Sequence, residues 1–301
     1  KKYKFKKLIN VDKLGYASNK KNIHSSVTKD HRYKFMKIDL INFAKIEKIF
    51  KNSKFDLIVH FAAESHVDNS IANPQKFIEN NVKSFLNLIN LSLGSYDKKN
   101  FKFINISTDE VFGSLKIDDN KSNESSLIRP RSPYSASKAS CDLIAEAYFN
   151  TYNFPIITTN CCNNYGPNQF NEKLIPKIIF NYLNKIKIPI YGNGRNIREW
   201  IHVKDHNSAI FKIINKGKIG NKYCIGSGDE ISNLNLTKKI INILKKHVLD
   251  HKIDLINFVD DRKGHDFRYS INSEKLSKLG WKKKINFDEG LKELVINESK
   301  K

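Results

Sequence analysis

A doubly wound parallel sheet of Rossmann-like α/β type, followed by a smaller mixed α/β domain, is the fold class that this sequence predicts. Three observations lead there. Short, nearly continuous apolar runs alternate with longer helical patterns through the first half of the chain, as buried parallel strands and their crossovers do. Two of those runs end in small or polar residues, Ala62-Ala63-Glu64-Ser65 and Ser107-Thr108-Asp109-Glu110, at the carboxyl strand ends where open sheets bind ligands. From Asn163 on the alternation loosens into shorter elements that read as a cap over the sheet. The expected division is therefore a nucleotide-binding domain at residues 1–162 and a second domain at 163–301, with some segments of the latter returning to the first.

The elements follow in order. Leu8-Ile9-Asn10-Val11 reads as a strand closing on Asp12, with Lys13-Leu14-Gly15 opening a loop. A carboxylate at such a tip can accept hydrogen bonds from a ribose, although a turn-forming Asp looks the same. Tyr33 to Ile38 is the next strand, closing on Asp39-Leu40, where an Asp can meet an adenine amino group. Phe43 to Phe50 is an amphipathic helix, and Asp56 to Phe61 a buried strand. Asn73-Pro74 starts a helix expected to run to about Leu93, with Asn at the cap and Pro in the first turn. Phe101 to Ile106 is a strand, residues 114 to 131 an irregular, lid-like loop, and Ala139 to Asn150 a helix entered through Tyr134 and Lys138. Ile156 to Thr159 completes the first half. Helices are then expected at Leu174–Ile186, Asp205–Asn215, Leu236–Leu249 and Phe287–Val295, and strands at Ile188–Tyr191, Arg198–Val203, Lys222–Ile225 and Ile256–Val259.

Composition narrows the class. A chain of 301 residues can bury a large core. It contains no run of about 18 apolar residues and no signal-peptide pattern, so a soluble intracellular protein is expected. The four cysteines, Cys141, Cys161, Cys162 and Cys224, form no C-x-x-C pair; neither a metal site nor a disulfide framework is read, which suits a reducing cytoplasm. The net charge of +22 comes from lysines scattered among Asn and Ile. Without a basic module it argues for general attraction to anions, not for nucleic acid.

The chemistry centres on Ser132-Pro133-Tyr134-Ser135-Ala136-Ser137-Lys138. Residues four apart share a helical face, and an ammonium beside a phenol lowers its pKa from about 10. A tyrosine so tuned can deprotonate a sugar alcohol, as oxidation by a nicotinamide requires. Taken alone, Tyr-x-x-x-Lys is far more often a solvated Lys beside a half-buried Tyr. Asp109 and Glu110 are a second constellation: two adjacent carboxyls can serve as acid and base if their environments differ. Arg198 and Arg262 offer cations to a diphosphate, or surface ion pairs.

Together these motifs resemble the dTDP-glucose 4,6-dehydratase family of the extended short-chain dehydrogenase/reductase superfamily. The matching stretches are Val11 to Leu14, His60 to Asp68, Ser107 to Gly113, Ser132 to Ser140, Asn163 to Pro167, Glu172 to Pro176, Ile197 to Trp200 and Asp261 to Tyr269, in the family's order over nearly the whole chain. The resemblance implies a lyase that dehydrates dTDP-glucose with a recycled NAD, in deoxysugar biosynthesis such as that of rhamnose. It implies that Tyr134 takes the C4 hydroxyl proton, Asp109 protonates the leaving C6 hydroxyl, Glu110 removes the C5 proton, Lys138 tunes Tyr134 and Thr108 binds the sugar. It puts Asp12, Lys13, Leu14, Gly15, Asp39, Leu40, Phe61, Ala62, Ala63, Glu64, Ser65, Asn80, Tyr134, Lys138 and Asn164 on NAD. It puts Ser65, Thr108, Asn163, Lys173, Leu174, Pro189, Ile190, Tyr191, Arg198, Asn233, Asp261, Arg262, Lys263, Gly264 and His265 on the nucleotide sugar. It implies a homodimer through the helices after Asn73 and Tyr134, and no membrane or nucleic-acid partner.

Three departures stand out. Lys263 replaces the family's usual proline, which would loosen that loop, and Asn80 replaces a common threonine. The family's opening strand and G-x-x-G-x-x-G turn, whose amides hold the pyrophosphate, have no counterpart before Asp12. The expectation is a truncated, misassigned or degenerate amino terminus, a hole in the sheet, and weak binding of NAD or none. A related dehydratase, an epimerase or an inactive nucleotide-sugar-binding fragment are the alternatives; the acid pair speaks against an epimerase.

Overall fold

The computed structural model describes residues 5–96 and 100–300. Strand β1 (Leu8–Asp12), helix α1 (Ser25–Thr28), β2 (Tyr33–Lys37), α2 (Phe43–Lys51) and β3 (Leu57–His60) open it. There follow α3 (Val67–Ala72), α4 (Pro74–Phe77), a π-helical segment (Ile78–Lys83), α5 (Ser84–Ser95), β4 (Lys102–Thr108), α6 (Pro133–Tyr152) and β5 (Ile156–Cys161). The rest is β6 (Asn163–Tyr165), α7 (Leu174–Leu183), β7 (Ile188–Tyr191), β8 (Ile197–His202), α8 (Val203–Lys216), β9 (Lys222–Ile225), β10 (Glu230–Ser232), α9 (Asn233–His247), β11 (Ile256–Val259), α10 (Glu274–Lys278) and α11 (Phe287–Glu298).

The central sheet is parallel, in the order β3-β4-β5-β9. Strand β9 lies in the second half of the chain yet joins this sheet, the return that the sequence reading anticipates. Helix packing explains the apolar runs: β4 is buried along nearly its whole length, with Phe103 and Ile104 fully covered. Burying a phenylalanine of this kind contributes roughly 1.5–3 kcal/mol. The cap is built from β10-β8-β6 and the pair β11-β7, over a core formed by Tyr165, Ile175, Tyr182, Trp200, Leu236 and Leu291 among others.

The expected hole is present. Strands β1 and β2 pair in parallel with each other, and among the described residues no strand joins them to β3. A cavity of about 650 Å³ lies between, lined by Leu8 to Asp12 on one side, Leu57 to His60 on the other, and Ile46, Ile49 and Leu88 from the helices.

Two expected elements differ. The helix expected from Asn73 to Leu93 is interrupted by the π-helical turn at Ile78–Lys83. Asn80 Nδ2 donates to the Lys76 carbonyl and the Ser84 hydroxyl donates to the Asn80 carbonyl, so side chains compete with the regular ladder here. The loop at 114–131 is irregular but is not a free lid. Bridges pair Leu115 with Arg268 and Ser122 with Ile271, and Arg268 Nη1 donates to the Asp119 carbonyl at 2.9 Å.

Glu199 holds the cap to the sheet. Its fully buried carboxylate accepts from the N–H groups of Ser227 (2.6 Å), Gly228 (2.7 Å) and Ile271 (2.9 Å). A Cβ at Gly226 would lie 2.4 Å from Glu199 Oε1, so only glycine admits this approach. Glu199→Ala strands three amide donors and is expected to cost about 3–5 kcal/mol, read as a lowered urea midpoint.

Candidate active site

The site forms where β4 ends. Strand β4 places Thr108 at its tip, and the Thr108 Oγ1 accepts from the Glu110 N–H at 3.3 Å and donates to Asp109 Oδ1 at 3.2 Å. One short turn thus presents both carboxyls. Opposite stands α6, which starts with a reciprocal capping box of Ser132 and Ser135 and a proline in its first turn. Its buried stripe includes Tyr134, Lys138, Cys141, Asp142 and Ala145, the spacing of one helical face.

Thr108, Asp109, Glu110, Tyr134 and Lys138 all line one cavity of about 560 Å³. Ser65, Asn163, Asn164, Lys173, Leu174, Pro189, Ile190, Tyr191, Arg198, Asn233, Arg262, Gly264 and His265 line it too. Asp12, Lys13, Gly15, Asp39, Leu40, Ala62, Glu64 and Asn80 line the neighbouring cavity between the sheets. Phe61 and Ala63 border both, so the two cavities meet at the tip of β3.

Some expected ligand contacts are not placed that way. Leu14 lines neither cavity; it adopts φ 57°, and its N–H donates to Asp12 Oδ1 at 2.6 Å. Asp261 and Lys263 also stand outside both. Asp261 faces His265, 2.6 Å from its Nδ1, and so supports the loop from behind, while Lys263 extends to solvent. Arg262 does face the cavity, but Asp68 holds it with two hydrogen bonds of 2.5 and 3.0 Å. Lys13 donates to Glu64 (2.7 Å) and Asn80 (2.6 Å), so three expected cofactor contacts satisfy one another.

The electrostatics separate the two carboxyls. Burial, followed by the neighbouring Glu110, holds the Asp109 carboxyl well above the ordinary carboxylate range. Burial also raises Glu110, though less far, because Arg198 and Lys173 oppose the rise. Of the two carboxyls Asp109 is the one more strongly held in its protonated form. The expected tuning of Tyr134 by Lys138 is not what the structure shows. The Lys138 ammonium donates to the Ile106 carbonyl at 2.7 Å, and burial with the nearby Glu110 pushes the phenol well up from its usual value. The shared helical face is right; the ammonium is engaged by a strand carbonyl that spacing along α6 does not reveal.

Several side chains of the site went unread. Asn81 clamps the β3 tip to α6: its Nδ2 donates to the Glu64 carbonyl (3.0 Å) and Ser137 Oγ (2.8 Å), and its Oδ1 accepts from the Glu64 N–H (2.7 Å). Asp142 accepts from Asn105 Nδ2 (3.1 Å), Ser107 Oγ (2.9 Å) and Asn160 Nδ2 (2.9 Å), which explains polar residues inside β4 and β5. Its position four residues after Lys138, on the same stripe, was the available signal. Among the described residues no group of three or more His, Cys, Asp or Glu could hold a metal ion, and no helix is long and apolar enough to cross a membrane.

A sequence profile described as GDP-mannose 4,6 dehydratase matches residues 1–294. The dTDP-glucose 4,6-dehydratase of Salmonella typhimurium is 41% identical over 96% of this chain and 84% of its own length. The chain belongs to the dTDP-glucose 4,6-dehydratase family. The Dictyostelium discoideum dTDP-D-glucose 4,6-dehydratase is 40% identical over 98% of this chain and 76% of its own length. Among solved structures, the dTDP-glucose 4,6-dehydratase of Streptomyces venezuelae, with NAD and TYD bound, superposes with a TM-score of 0.89 at 39% identity, covering 96% of this chain and 86% of that one. A UDP-glucose 4-epimerase from Thermus thermophilus superposes at 0.86 with 21% identity, which extends the likeness of fold beyond the dehydratases.

Asp142 gives this family member a pH signature. Burial raises its carboxyl from 3.8 to about 6. A raised folded-state pKa contributes stability fully present below the unfolded value and lost as pH rises through the folded one. This contribution to stability should thus fall between about pH 4 and 6. Asp142→Asn, less stable throughout for want of an acceptor, should show a shallower fall in that window than wild type when denaturant midpoints are compared.

Proposed function

We propose that this chain dehydrates dTDP-glucose to dTDP-4-keto-6-deoxyglucose, with NAD held mainly by residues 1–162 and the nucleotide sugar mainly by residues 163–301. The observation that carries the reading is one cavity that gathers Tyr134, Asp109 and Glu110, with Asp109 the more strongly protonated of the two acids.

At the carboxyl ends of β1 and β2 the cavity between the sheets presents the Asp12 and Asp39 carboxylates, which suit the ribose hydroxyls and adenine amino group of a dinucleotide. The buried Oδ1 atoms of Asn163 and Asn164 lack protein partners and await donors. NAD, when bound, supplies a hydride acceptor and donor. The remaining work falls to side chains. Tyr134 takes the proton of the C4 hydroxyl, which calls for Lys138 to leave the Ile106 carbonyl and face the phenol. Glu110, whose ionised form Arg198 and Lys173 favour, removes the C5 proton, acidic beside a C4 ketone. Asp109 gives its proton to the C6 hydroxyl as that leaves. Arg198 stacks on the Tyr269 ring at 4.3 Å and donates to the Asp266 carbonyl at 2.9 Å, so its guanidinium is fixed beside these acids before substrate arrives.

A homodimer is part of the same reading. Ile78 and Leu86 on one helical run and Leu143 on α6 are exposed large apolar residues on neighbouring helices, a surface that a second copy would cover. Deoxysugar formation in the cytoplasm suits it.

Two outcomes test the assignment. With added NAD, Asp109→Asn and Glu110→Gln should each lower dehydration by about 10²–10³-fold while reduced nicotinamide still accumulates; Tyr134→Phe should abolish both signals.

A further inference from the structure

Two loops that are 156 residues apart in sequence meet above the line where the cavities join. The first follows β1 and lines the inter-sheet cavity with Gly15, Tyr16, Ala17 and Ser18. The second leads into α7 and lines the catalytic cavity with Gln169, Glu172 and Lys173. Their meeting point is Tyr16. Its hydroxyl donates to the Glu172 carboxylate, with oxygens at 3.0 and 3.1 Å, and accepts from Asn69 Nδ2 at 3.1 Å. The Phe170 ring meets its edge at 5.8 Å, and the Lys76 ammonium stands over its face at 5.4 Å. Lys173, next to Glu172, reaches the Ser65 carbonyl (2.9 Å) and hydroxyl (3.2 Å) at the β3 tip.

Tyr16 contributes little to a core, for it is 49% exposed. What it does is join three chain segments at one hydroxyl. Burial and Glu172 push that phenol up to about 12, so it remains a donor throughout the neutral range. Each loop also carries a residue in left-handed backbone, Leu14 at φ 57° and Asn168 at φ 65°, next to its contact segment. Such positions absorb the dihedral change of a swinging loop.

We infer that the Tyr16–Glu172 hydrogen bond is a strap across the mouth of the cleft, making these two side chains positioning residues that couple retention of the dinucleotide to occupancy of the sugar-nucleotide cavity. The inference rests on the functional reading above for what the cavities hold. A dinucleotide lying across the carboxyl ends of β1 and β3 leaves only when the strap opens. A sugar nucleotide that engages Lys173 steadies the second loop, and with it the first.

The test compares wild type with Tyr16→Phe, Glu172→Ala and Glu172→Gln. In hydrogen–deuterium exchange without any ligand, Tyr16→Phe and Glu172→Ala should each speed exchange in both loops, 13–19 and 169–173, by about tenfold, as loss of one charge-assisted bond implies. Glu172→Gln, whose amide oxygen still accepts, should restore wild-type exchange. With added NAD and dTDP-glucose, Tyr16→Phe should raise the KM for both ligands about tenfold and leave kcat within about twofold, since neither side chain touches a reacting group. Tyr16→Phe/Glu172→Ala should be no worse than the worse single variant. Faster exchange confined to the mutated loop, additive effects, or a fall in kcat with KM unchanged would overturn the strap. A wild-type chain inactive at saturating NAD would instead overturn the assigned activity, and the exchange experiment would still decide the strap.

Discussion

One buried amide holds both halves of the reaction chamber in register. Asn81 sits in the π-helical turn between α4 and α5, and its three hydrogen bonds join the β3 tip to the first turn of α6. The β3 tip is where the two cavities meet, and α6 carries Tyr134 and Lys138. Within this π turn Asn80 faces Lys13, and Asn81 faces Glu64 and Ser137. An irregular helical turn therefore serves the site, at the expense of regular helix hydrogen bonding.

The second organising constraint is electrical. Two neighbouring carboxyls are taken out of water, and the compensation is unequal. Burial and like charge dominate at Asp109, whereas Arg198 and Lys173 rank directly after burial at Glu110. The asymmetry arises from the cap, since both cations come from beyond residue 163. The difference between two adjacent carboxyls is thus set by segments far along the chain that reach them only through tertiary packing. The same cannot be said of Tyr134, whose phenol is disfavoured from ionising in the ligand-free arrangement.

Apolar runs and turn residues were sufficient to place β1 to β5 and the parallel character of the sheet, because buried parallel strands and their crossovers leave strong local patterns; the strand order, and that β9 is the returning segment, were not read. The gap beside β3 was legible only through the family resemblance, whose opening strand has no counterpart before Asp12. The missed features are those that depend on partners distant in sequence. Nothing near Ile78 announces a π turn whose purpose is to reach Glu64 and Ser137. Asp261 belongs to a motif that reads as ligand-binding, yet it turns its carboxylate toward His265 behind the cavity wall. Lys138 obeys helical periodicity and still points at a carbonyl of β4. Spacing reports which face a residue occupies; it does not report which atom on the facing element competes for its proton.

The two strand margins that flank the inter-sheet cavity have a further implication. Among the described residues, strands β1 and β3 each pair on one side only, and both line the same space. Unpaired backbone margins of this sort are templates for extended chain, and their pull grows with crowding. An extended segment laid between these margins would join the two sheets into one and cover Leu57, which stands 38% exposed on β3.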